Sequence, residues 1–143
     1  MTTFRQLNDG WNADPNAPIP KIALDGGDIV VSFRMNSSQF SPFGLRDLGK
    51  LRFISCHRYR LGDINDEGWY RGQCRFSKLA PKWGQFYEVS GDLRMADCPR
   101  DWVEVNPALA DLRHFLFYFR DETFECDAAD WSFGVQKGEG ARS

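Results

Sequence analysis

The chain has 143 residues, 42% hydrophobic and 15% aromatic, with a formal net charge of -2. A domain of that length buries about two-thirds of its unfolded surface, and a chain this apolar and aromatic is not an intrinsically disordered one. The slight acidity argues against nucleic acid, whose phosphates call for a marked basic excess, and no run approaches the ~20 apolar residues of a membrane span.

Residues 1–20 read as an irregular lead-in. The segment Gly10-Trp-Asn-Ala-Asp-Pro-Asn-Ala-Pro18 is distinctive, and its Asx and Pro residues favour turns and extended backbone. Trp11 is a candidate anchor into the core. Met1-Thr-Thr-Phe-Arg-Gln-Leu7 has neither an apolar run nor a small-residue cleavage site, so the expected location is cytoplasmic.

A single antiparallel β domain is expected over residues 21–136. Lys21–Asp25 and Asp28–Met35 flank Gly26-Gly27, a strong hairpin signal, because Gly supplies the positive φ of tight primed turns. Asn36 to Gly49 reads as a loop carrying Phe40 and Phe43. Lys50 to Leu61 reads as one long strand, Trp69 to Ser77 as the next, and Gln85 to Arg94 as a third, together an antiparallel meander. Trp102–Val105 is a short strand. Asn106-Pro107 then offers an N-cap residue followed by a proline at the first helical position, so one or two helical turns through Leu112 are expected.

The next segment alternates with period two. Phe115, Phe117 and Phe119 share one face, as do Phe124, Cys126 and Ala128. With Asp121-Glu122 as the loop, Phe119 lies opposite Phe124, Phe117 opposite Cys126 and Phe115 opposite Ala128. Trp131 to Val135 adds an edge strand, and residues 137–143 read as a frayed tail. Seven or eight strands with short connections and at most one short helix suit a sandwich or a curved, barrel-like sheet.

No cofactor or metal is expected. Asp63-Ile-Asn-Asp-Glu-Gly68 opens like a calcium loop, but Cys74 stands where the bidentate Glu belongs. Cys56, Cys74, Cys98 and Cys126 are too widely spaced for structural zinc. Folding the chain symmetrically about Asn65 sets Cys56 opposite Cys74, where two buried thiols in contact are the simpler reading and a redox-active disulfide the alternative.

Charge is unevenly spread. From Arg46 to Lys82 nine Lys/Arg stand against four Asp/Glu, and from Trp83 to Ser143 six stand against twelve. Basic and acidic strands side by side would neutralise each other. The alternative is an anion-binding surface, since arginine forks suit carboxylate or phosphate. The same symmetric folding sets Tyr59 opposite Arg71, His57 opposite Gln73 and Ser55 opposite Arg75, with Arg58 and Arg60 on the other face. The candidate ligand-binding residues are therefore Arg58, Arg60, Arg71, Arg75, Trp69, Tyr70, His57 and Tyr59.

No catalytic residue is assigned. Cys56 and His57 are adjacent and point to opposite faces of a strand. Glu88, Asp92, Glu125 and Asp127 could pair as acid and base, but their spacing selects none. The expected function is a non-catalytic binding module for a protein partner or a small anionic ligand, with a homodimer allowed through an exposed edge strand. The alternative is a small barrel enzyme with its pocket over His57, Tyr59 and Arg71.

Overall fold

The computed structural model describes residues 3–40, 43–44, 46–62, 84–91, 101–119 and 122–137. Those residues form ten β-strands and no helix: β1 (Thr3–Gln6), β2 (Lys21–Asp25), β3 (Asp28–Arg34), β4 (Leu48–Ile54), β5 (Arg58–Gly62), β6 (Phe86–Ser90), β7 (Val103–Glu104), β8 (Arg113–Tyr118), β9 (Thr123–Ala128) and β10 (Asp130–Gln136). They make two antiparallel sheets, β1-β6-β8-β9-β5-β7 and β10-β4-β3-β2. The arrangement is a sandwich-like single domain and not a closed barrel.

Alternation places one side of each strand in the core. The smaller sheet contributes Ile29, Val31, Phe33, Leu51 and Phe53, and the larger contributes Phe86, Phe115, Phe117, Phe124 and Cys126. Rings from the two sheets meet directly. Phe53 lies 5.2 Å from Phe115 and 5.3 Å from Phe124, and Phe33 lies 5.4 Å from Phe117. Each fully buried Phe contributes about 1.5–3 kcal/mol of transfer free energy. Trp11 is buried as expected, stacked on Phe133 at 3.9 Å with the rings 5° apart.

The β2–β3 hairpin forms around Gly26 (φ 59°) and Gly27 (φ 95°), with Asp25 opposite Asp28. The final hairpin also forms, but in a different register. Phe117 faces Phe124 and Phe115 faces Cys126. The Phe119 N–H donates to the Glu122 carbonyl at 2.9 Å, so the reversal falls one residue earlier than predicted. Moving a turn by one residue slides every cross-strand pair by two, and a slide of two preserves the face.

Four other expectations are corrected. The predicted Lys50–Leu61 strand is two strands in two sheets. Ser55 takes a positive φ of 52°, Cys56 N–H bonds the Gly27 carbonyl, and His57 N–H bonds the Asp127 carbonyl. Trp69–Ser77, the middle strand of the expected meander, lies outside the described residues, and its two flanking strands are not neighbours: β6 lies between β1 and β8 and β5 between β9 and β7. The lead-in is not wholly irregular, since Thr3–Gln6 pairs with β6. No helix follows Asn106. Its carboxamide instead donates to the Gly27 carbonyl at 2.8 Å and to the Cys56 carbonyl at 2.6 Å, tying the chain to the break between β4 and β5.

Candidate functional site

Arg58 and Arg60 lie on the outer side of β5, as the alternation predicts. The register sets Arg58 opposite Asp127 and Arg60 opposite Glu125. Arg58 Nε donates to Asp127 Oδ2 at 2.7 Å, and Arg60 Nη1 to Glu125 Oε2 at 2.9 Å. Arg60 also forks onto Asp101 at 2.8 and 3.2 Å. Basic β5 and acidic β9 are thus neighbours that neutralise each other, the simpler of the two readings of the charge pattern.

His114 completes this cluster, and nothing in its local sequence marked it. Nδ1 lies 2.6 Å from Asp127 Oδ1 and Nε2 lies 2.9 Å from Glu125 Oε1. A carboxylate at each nitrogen favours the doubly protonated ring, which can donate to both. Burial alone would lower its pKa, but the bonds to Asp127 and Glu125 hold it above the ordinary histidine value. Burial likewise opposes ionisation of Asp127, and His114 and Arg58 together keep its pKa below the usual carboxylate range. The Trp102 ring lies under the Arg58 guanidinium at 4.3 Å and edge-on to His114. Alternating charge of this kind positions the strands.

His57 and Tyr59 separate from the arginines. His57 Nδ1 donates to the Asn106 carbonyl at 2.7 Å, and Tyr59 packs against the core. Tyr59 has Cys126 on one side and Val103 on the other. Trp69, Tyr70, Arg71, Gln73, Cys74, Arg75, Asp92 and the Asp63–Gly68 loop lie outside the described residues. The neighbour of Cys56 that is described is Cys126. Both are buried free thiols, and burial, with Cys56 alongside, pushes the Cys126 thiol well up. Among the described residues, no group of three or more His, Cys, Asp and Glu is placed to hold a metal ion.

The outer face of the smaller sheet is different in character. With Ile29, Val31 and Phe33 facing the core, Ser32 and Arg34 must face out. Register then aligns Lys21, Ser32, Lys50 and Gly134 in one row across the sheet, and Ala23, Val30, Arg52 and Ser132 in the next. Arg52 leans away from the lysines onto Asp25 at 2.7 Å and Asp28 at 2.9 Å. The Ser55 N–H, together with Arg52, holds the Asp28 pKa below the usual carboxylate range. Lys21, Arg34 and Lys50 make no ion pair with any described residue. Lys21 and Lys50 are two strands apart, about 10 Å between backbones, and Arg34 projects from the strand between them. The patch runs to β2, which among the described strands is an edge strand bonded only to β3, and there Leu24 is 65% and nearby Ile19 49% exposed.

Sequence reading passed over this cluster because Lys21 and Arg34 precede the basic stretch. The Gly26-Gly27 hairpin already set Lys21 opposite Ser32, so the signal was present. No family model matches the chain, and no curated protein or solved structure matches it.

Proposed function

We propose that the chain is a non-catalytic binding module whose partner is a protein presenting an acidic, extended segment. The observation that carries this reading is the cluster of Lys21, Arg34 and Lys50, without an ion pair among the described residues, beside β2, which ends its sheet among the described strands. An unpaired edge offers main-chain hydrogen bonds to an added strand. Exposed Leu24 and Ile19 offer apolar contact at the same edge. Acidic side chains of the added strand would meet Lys21 first and the other two cations behind it.

An anion site at Arg58 and Arg60 has less support, because both guanidinium groups already hold carboxylates. The enzyme alternative also has less, because the Tyr59 ring belongs to the core and His57 is engaged with Asn106.

The test is NMR titration with a short peptide of alternating Glu and Val. Perturbed amides along Lys21–Asp25, weakened by salt and by Lys21→Glu with Lys50→Glu, are expected. An absence of perturbation on β2, or binding indifferent to the charge reversals, would count against the proposal.

A further inference from the structure

A cavity of about 280 Å³ opens at one end of the sandwich. Its walls are the Asn12–Pro15 stretch of the distinctive N-terminal segment, the Asn36–Gln39 turn after β3, Gly84-Gln85 at the entry to β6, and Tyr118-Phe119 at the end of β8. The N-terminal wall is pinned in place. Trp11 is buried in the core, Ala13 bridges Met35, Asp14 N–H donates to the Arg34 carbonyl at 2.8 Å, and Asn36 N–H donates to the Asn12 carbonyl at 2.9 Å.

Four carboxamides line the cavity, and main-chain bonds fix which way each points. Asn12 Oδ1 accepts from Ala13 N–H, and its Nδ2 donates to the Gly84 carbonyl. Asn36 Oδ1 accepts from Gln39 N–H, so its Nδ2 must donate to Gln39 Oε1. Gln85 is fixed through Asn8, whose Oδ1 accepts from Phe86 N–H and whose Nδ2 donates to the Trp11 carbonyl. Asn8 Nδ2 also reaches Gln85 at 2.7 Å, so the Gln85 atom there is the oxygen. In every case the oxygen is occupied and N–H capacity is left over: both hydrogens of Nε2 on Gln85 and on Gln39, and one on Asn12 and on Asn36. Asp14 is the one charged side chain among the described lining residues. Its Oδ1 accepts from Asn16 and Ala17 N–H, leaving Oδ2.

We propose that this cavity binds a free α-amino acid. The neutral N–H donors suit a carboxylate, and Asp14 suits an ammonium group. With no Lys or Arg among the described lining residues, a ligand carrying negative charge alone would face Asp14 unbalanced. The volume of about 280 Å³ falls just below the range of roughly 300–1,000 Å³ for drug-sized ligands, which suits a single residue. This site is separate from the β2 edge and does not depend on a protein partner.

The experiment is titration calorimetry of the purified chain with each common amino acid, followed by the N-acetylated form of any that binds. Asp14→Asn keeps the turn-forming acceptor and removes the charge. Gln39→Ala alters an exposed side chain, so it remains informative if Asp14→Asn misfolds. Saturable binding is expected with at least one amino acid. Acetylation and Asp14→Asn should each weaken it about tenfold or more, the scale of a charge-assisted hydrogen bond, and Gln39→Ala should weaken it several-fold. No saturable heat with any amino acid would overturn the proposal. So would binding that Gln39→Ala and Asp14→Asn leave unchanged, or equal binding of the acetylated form.

Discussion

His114 and Asp127 are register partners across the β8–β9 ladder and also a hydrogen-bonded pair, Nδ1 to Oδ1 at 2.6 Å. Because the partners raise the His114 pKa above 6.5, the folded chain holds a proton that the unfolded chain gives up more readily. That stabilisation is complete below pH ~6.5 and is lost as pH rises through the folded-state value. Asp127 works in the opposite sense. Its pKa is lowered from 3.8, so its share is present above that value and is lost as pH falls through the lowered one. Urea midpoints should therefore fall as pH rises from ~6.5 through the raised folded-state value, and His114→Gln should flatten that limb. A wild-type midpoint constant between pH 6 and 9 would contradict the assignment.

Arg60 joins two carboxylates that differ in exposure, Glu125 at 0% and Asp101 at 57% of the side chain. Removing the buried one leaves Arg60 and His114 under-compensated in a low-dielectric site. Glu125→Ala should cost about 3–5 kcal/mol. Removing the exposed one should cost less than about 1 kcal/mol. Chemical unfolding of the two variants checks the contrast, and equal losses would show that burial does not set the energetics here.

The sequence disclosed strands better than it disclosed neighbours. Phe115, Phe117, Phe124 and Cys126 were assigned to the correct face although the turn was misplaced, because facing depends on parity and parity survives a two-residue slide. The β4–β5 break was invisible for a related reason. Leu51, Phe53, Tyr59 and Leu61 keep one alternation across it, since all of them face the same core from opposite sheets. Only the backbone at Ser55 betrays the corner. At the site, the outward direction of Arg58 and Arg60 was legible, but their partners come from β9 and from Asp101, far along the chain. Free and neutralised arginines cannot be told apart until strand order is known.

Gly49, the expected end of the loop from Asn36, is instead buried in β4. A Cβ there would meet Met35 Sδ and Phe33 Cε2, each at 2.6 Å. Both neighbours are fully buried, and Phe33 is packed on Trp11, Phe117 and Phe119, so there is little room to yield. Gly49→Ala should destabilise by about 1–3 kcal/mol through overpacking, despite the lower unfolded-state entropy of alanine. A melting temperature at or above that of the unmodified chain would show that Met35 or Phe33 can move aside.

Asn106 is the last position where chemistry and fold can be separated. Its Nδ2 serves the Gly27 and Cys56 carbonyls, and its own carbonyl accepts from His57 Nδ1. One side chain thus holds the β2–β3 turn against the corner between β4 and β5. Asn106→Ala removes the donor and leaves both carbonyls short of a partner, for about 1–3 kcal/mol. Asn106→Asp is the sharper probe, because it places a carboxylate against the same two carbonyls and should cost more than alanine. Hydrogen exchange should quicken at Cys56 and Val105, whose N–H groups bond the Gly27 and His57 carbonyls, while the β8–β9 amides stay protected. If all amides quickened together, the corner would belong to the global unfolding unit, and Asn106 would act on the whole sandwich.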